Sequence, residues 1–132
     1  MIGLDTNILL RYFVKDDVVQ WERATRFIST RCTPESPGFI DRIALCDMVW
    51  VLTRGYGYGR ADVVRIVGQL LASQELLLED EELVRSAVQS YEGAGIDFAD
   101  ALMVKVNLAR GCEATATFDR KTAQLDGFIR VS

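Results

Sequence analysis

Five aspartates stand where ordinary packing does not call for an acid. Asp5 follows the apolar run Met1-Ile2-Gly3-Leu4, and Asp47 lies inside IALCDMVWVL. Asp97 and Asp100 are three residues apart in GIDFADALMVKVNLA, and Asp119 ends the run ATATF. Carboxylates gathered within a few ångströms repel and raise one another's pKa. A hard divalent cation relieves that repulsion, and an all-oxygen donor set suits Mg²⁺ or Mn²⁺. Such a cation lowers the pKa of bound water and neutralises charge on a phosphate. Thr6, Asn7 and Thr117 lie beside these acids in sequence and are candidates to orient them.

Each acid also has a plain structural use. Asp5, Asp97 and Asp119 are favourable helix N-caps. Asp100, three residues after Asp97, suits the acidic position of a capping box. Asp47 either faces solvent or pairs with Arg54, because an unpaired carboxylate in an apolar stripe is costly. The set points further than any member does. Asp5 and Asp119 fall at the carboxyl ends of predicted strands. Asp100 falls on the first turn of the helix leading to the second of those strands, and Asp47 near the start of the helix after strand two. In open parallel sheets the carboxyl edge is where ligands bind.

Composition narrows the chemistry. The chain has 132 residues and no histidine, which removes the usual general base and every Ser-His or Cys-His device. The 3 cysteines, Cys32, Cys46 and Cys112, form no C-x-x-C pair, so neither a disulfide scaffold nor a zinc site is expected. The charge balance, 15 − 19 = −4, excludes a generic polyanion binder. No stretch reaches the roughly 20 apolar residues of a membrane helix, and Asp5 interrupts any signal-peptide core. A cytoplasmic protein of one domain, residues 1–132, without a membrane segment, is expected.

Apolar spacing predicts the elements that must carry these residues. Strands are expected at Met1–Leu4, Gly38–Ile40, Ala114–Phe118 and Phe128–Val131, with Glu75–Leu78 open between strand and loop. Helices are expected at Asn7–Phe13, Val18–Arg31, Ile43–Arg54, Ala61–Ala72, Glu81–Tyr91 and Asp97–Arg110, with a short one near Thr122–Leu125. Short strands alternating with longer helices imply an α/β fold with a parallel sheet.

The stretches GLDTNILL, ALCDMVWVL, DFADALMV and ATFDRK, in this order and spacing, resemble the PIN domain, and most closely the VapC-type toxins of toxin–antitoxin pairs. The resemblance covers nearly the whole chain. It implies a three-layer α/β/α fold around a central parallel sheet and a Mg²⁺- or Mn²⁺-dependent ribonuclease that leaves a 5′-phosphate. The family's acids match Asp5, Asp47, Asp100 and Asp119, with Asp5 and Asp100 expected as direct metal ligands and Asp97 as a frequent extra acid. Asp47 stands where the family usually has Glu, one methylene longer. A cognate antitoxin protein and a homodimer are further implications.

An acidic protein needs local basic groups to hold RNA. Arg11, Lys15, Arg54, Arg60 and Lys121 are candidates for the cleft rim, and Tyr56 and Tyr58 for stacking on bases. Two other classes share parts of the pattern. One is a catalytically degenerate PIN-like interaction module, which the Asp47 replacement makes conceivable. The other is a phosphoryl-transfer or receiver-type domain, although LDTN lacks the D-x-D of the phosphatases.

Overall fold

Runs of two or three residues, too short for helices, pair as strands, and every pairing is parallel. In the computed structural model, which describes residues 1–132, β1 (Ile2–Gly3), β2 (Gly38–Ile40) and β3 (Leu76–Leu78) form one ladder with β2 central. β4 (Thr115–Thr117) and β5 (Phe128–Arg130) form a second. The helices are α1 (Thr6–Phe13), α2 (Val18–Arg31), α3 (Arg42–Trp50), α4 (Arg60–Ala72), α5 (Glu81–Ala94) and α6 (Phe98–Ala109). The chain divides into two compact units, Met1–Glu81 and Glu82–Ser132.

In the first unit, Gly38 pairs with Ile2 on one side and Leu76 on the other. It sits under a tight roof. A Cβ there would lie 2.8 Å from Cys32 Sγ and 2.9 Å from Leu4 Cδ1. A side chain there would have to displace Cys32 and Leu4 from the central strand. The helices bury apolar faces at helical spacing, Val63, Ile66, Val67 and Leu70 in α4 being the fullest example. Leu9, Ile40, Leu45, Met48 and Leu52 complete the interior. α1 packs on α2 and α3. β3 resolves the ambiguity at ELLLED, because its amides and carbonyls pair with β2 in register Phe39↔Leu77.

The helix expected over Ile43–Arg54 is two structures. Regular α-helix ends at Trp50, and Val51–Gly55 is a π-helical turn. The Tyr56 N–H donates to the Val51 carbonyl, five residues back, at 3.2 Å. The Thr53 hydroxyl donates to the Val49 carbonyl at 2.9 Å, loosening the α-helical ladder at that point. π turns are rare and cluster at functional positions.

In the second unit, Tyr91 of α5 meets Phe98 of α6 edge to face, with ring centroids 5.8 Å apart. Val84, Ala87, Ala101, Leu102, Val104 and Phe128 are also buried. α6 ends where Gly111 takes φ +98 and the Cys112 N–H returns to the Asn107 carbonyl.

Candidate functional site

At the end of β1, Asp5 caps α1. Its Oδ1 accepts the Asn7 N–H at 2.9 Å and the Ile8 N–H at 3.2 Å. Both bonds fall on one oxygen, so Oδ2 of this exposed residue is left for another partner. The capping reading and the ligand reading therefore coexist in one side chain. Asp5 takes its hydrogen bonds from backbone amides, and the roles expected of Asn7 and Thr6 reduce to supplying the amide and the first residue of the helix.

Asp41 repeats this device and escaped the sequence reading. It follows β2 directly and caps α3, its Oδ1 accepting the Ala44 N–H at 2.7 Å. An apolar strand, then Asp, then a helix is the same pattern that marks Asp5, and it was available in GFIDRIAL. Arg42 ties the start of α3 to the end of β3, with its N–H on Glu79 Oε1 at 2.9 Å and its guanidinium 3.4 Å from Asp80.

Asp47 lies on the exposed face of α3, between Ile43 at 82% and Trp50 at 61% exposure. The stripe that seemed to bury an acid is thus open to solvent there, and Asp47 is solvated without a pair to Arg54. The buried stripe of α3 is Ala44, Leu45, Met48 and Val49.

Arg11, expected at the cleft rim, and Tyr56, expected to stack on bases, are joined through Asp16. Arg11 Nη1 donates to Asp16 Oδ1 at 3.0 Å, and the Tyr56 hydroxyl donates to Asp16 Oδ2 at 3.0 Å. The hydrogen bond to Asp16, burial and the Asp16 charge together push the Tyr56 phenol above its usual pKa. Tyr56 also meets Tyr58 edge to face at 6.2 Å. Lys15 stacks its ammonium over Trp21 at 4.3 Å. Arg54 lies in the π turn, and Arg60 opens α4.

In the second unit, Asp97 occupies the N-cap position of α6, but its carboxylate makes no capping hydrogen bond. The capping-box reading of Asp97 and Asp100 is not realised. Asp100 is half-buried in the first turn of α6. Burial, then the charges of Asp97 and Asp119, push its carboxyl above the usual aspartate range. Asp119 goes the opposite way. The Thr122 hydroxyl and N–H both donate to its Oδ2, and they hold its carboxyl below the usual range. The orienting hydroxyl is therefore Thr122. Thr117, expected in that role, accepts the Asp119 N–H at 3.1 Å and fixes the backbone. Lys121 adds a smaller attraction.

Residues 2–127 match the PIN domain. The chain belongs to the PIN domain family. Similarity to a VapC ribonuclease of Aquifex aeolicus (strain VF5) runs over 129 residues at 24% identity, 98% of this chain and 94% of that protein. The match extends across both units, and the parallel α/β architecture of this PIN domain agrees with what the motifs implied. No helix is long and apolar enough to cross a membrane.

The donor chemistry of these acids fits a hard cation. All are carboxylates, Asp5 keeps a free oxygen, and Asp100 carries the strain of neighbouring negative charge. No group of three or more such side chains is drawn together into a metal cage as they stand. Holding an ion through one or two carboxylates and several waters is the ordinary habit of Mg²⁺.

Proposed function

We propose that this PIN domain is a ribonuclease, that it needs Mg²⁺ or Mn²⁺, and that it acts as the toxin of a toxin–antitoxin pair. Family membership and the similarity to a VapC ribonuclease support the reaction class. The observation that supports the metal requirement is Asp100, a half-buried carboxylate whose ionisation is opposed first by burial and then by the charges of Asp97 and Asp119. A charge held at such a cost is explained by a cation that uses it.

In this reading Asp5 and Asp100 hold the cation, and Asp47 and Asp119 complete its surroundings or hold its waters. A cation held there would lower the pKa of a bound water and offset charge on the phosphate. The chain's own part is positional. The Asn7 and Ile8 amides fix Asp5, Thr122 fixes Asp119, and Asp97 keeps the charge density around Asp100 high. With no histidine in the chain, proton transfer to the leaving oxygen falls to water or to these acids.

A free ribonuclease harms its host, so a protein inhibitor belongs to the same proposal. The exposed pair Ile43 and Trp50, flanking Asp47, is a surface where an apolar segment carrying one basic side chain would sit. A homodimer and a cytoplasmic location complete this reading.

The test is cleavage of end-labelled RNA by purified protein. Cleavage with Mg²⁺ or Mn²⁺, 5′-phosphate ends, and a loss of at least about a hundredfold in Asp100→Asn are expected, the order of one lost electrostatic contribution. Undiminished cleavage in excess EDTA, or by Asp100→Asn, refutes the metal-dependent mechanism.

A further inference from the structure

Between α1 and α2 lies an open cleft of about 350 Å³, within the range of pockets that hold small organic groups. Ile8 and Phe27 supply apolar surface, while Asn7, Gln20, Arg11 and Arg23 supply polar groups. Asn7 is also the residue whose amide binds Asp5, so the cleft begins at the candidate metal ligand. Arg11 lines it with a side chain that is 27% exposed, although its Nε is itself buried without an acceptor. Nη1 is spent on Asp16, so the contact left to a ligand is through the exposed remainder of the guanidinium. A guanidinium donor suits a phosphate oxygen. The amides of Asn7 and Gln20 carry both donors and acceptors, as the edge of a base requires.

Asp16 holds Arg11, one of the residues that line this cleft. The adjacent Asp17 caps α2 through the Gln20 N–H at 3.1 Å, which leaves Asp16 free of that duty. Asp16 instead binds Arg11 five residues before it and Tyr56, 40 residues after it. The π turn Val51–Gly55 delivers Tyr56 to that bond.

Building on the ribonuclease reading, we infer that the α1–α2 cleft is a subsite for one nucleotide of the RNA strand next to Asp5. Arg11 contacts the phosphate, and Asp16 is a positioning residue that holds Arg11 and Tyr56. An acid beside a bound polyanion weakens binding unless it orders the groups that make the contacts. The sign of the Asp16 effect therefore separates positioning from simple charge.

Binding of a short fluorescein-labelled oligoribonucleotide is followed by anisotropy across a salt series, in an Asp100→Asn background with Mg²⁺ so that the probe stays intact. Steady-state cleavage is measured in the otherwise wild-type protein. Arg11→Ala is expected to weaken binding about tenfold, raise KM with kcat nearly kept, and lower the salt slope by about 0.7, one single-strand phosphate contact. Arg11→Lys should keep most of the slope. Asp16→Ala should weaken binding although it removes a negative charge, Asp16→Asn should restore part of it, and Tyr56→Phe should raise KM severalfold. Melting temperatures confirm that the variants are folded. An Asp16→Ala protein that binds RNA as well as its parent overturns the positioning role, and an Arg11→Ala protein with an unchanged salt slope overturns the subsite. Loss of inhibitor binding with RNA binding intact assigns the cleft to a protein partner and overturns it too. If the wild type neither binds nor cleaves the probe with Mg²⁺ or Mn²⁺, the ribonuclease reading itself fails, and this inference falls with it.

Discussion

Asp5 caps α1 with one oxygen and, in the proposed reading, offers the other to a cation, and substitution can separate the two. Oδ1 accepts the Asn7 and Ile8 amides, capping a helix of 8 residues. Asp5→Ala removes both bonds and should cost about 1 kcal/mol in the metal-free protein, the usual loss for an N-cap. For a chain of this size that corresponds to a fall of roughly 4 °C in Tm. Asp5→Asn keeps an acceptor in the Oδ1 position and remains among the best caps, so metal-free Tm should change by less than about 1 °C. Metal should behave otherwise. At a concentration about 100 times its Kd, the ion adds roughly 2.7 kcal/mol to the wild type. Both variants should lose most of that gain, because each lacks the charge on Oδ2. The assay is a thermal scan of wild type, Asp5→Asn and Asp5→Ala, each with EDTA and with millimolar Mn²⁺, alongside RNA cleavage. An Asp5→Asn protein that gains as much from Mn²⁺ as the wild type, and cleaves RNA as fast, shows that Asp5 is a cap and nothing more.

Asp100→Asn should leave the metal-free protein equal or more stable at neutral pH. The folded pKa of Asp100 is raised, so its stability contribution is intact below the unfolded aspartate pKa and is lost as pH rises through the folded one. The gain from Asn should therefore shrink as pH falls through the acid range, and urea unfolding across pH checks it. Asp97→Ala should change metal-free stability by less than about 0.5 kcal/mol, since its carboxylate caps nothing; a loss of about 1 kcal/mol contradicts this. Gly127→Ala should lower Tm by several degrees: Gly127 has φ +90, and an added Cβ would lie 2.6 Å from Val104 Cγ2. A variant as stable as wild type refutes that packing.

Much of the fold is legible because apolar spacing and cap residues act locally. Val18–Arg31 and Gly38–Ile40 were readable to the residue, and Asp5 announced a helix start. What escaped depends on distant partners or on hydrogen-bond phase. Apolar periodicity runs through Trp50 into Val51 and Leu52 without marking where the backbone changes from four-residue to five-residue bonding. Leu76–Leu78 is ambiguous alone and becomes a strand by pairing with Gly38–Ile40. Residue type identified the candidate acids, but type does not say which oxygen is occupied. Nothing in the segment KDD tells that Asp17 caps while Asp16 reaches a tyrosine 40 residues away. Asp97 shows the converse, a sequence ideal for capping whose side chain is not used for it.

The π turn after Trp50 is a slip in the phase of a screw. In an α-helix the bearing of a side chain is fixed by counting, about 100° per residue. The wider turn at Val51–Gly55 resets that count before Tyr56. The direction of Tyr56 thus depends on the number of residues between Leu52 and Tyr58 as well as on Thr53 and on Gly57 at φ +71. Adding or removing one residue swings the phenol away from Asp16. Chain length here works as a dial, and related sequences that differ by one residue at this point would present a different ring, at a different angle, to whatever their clefts receive.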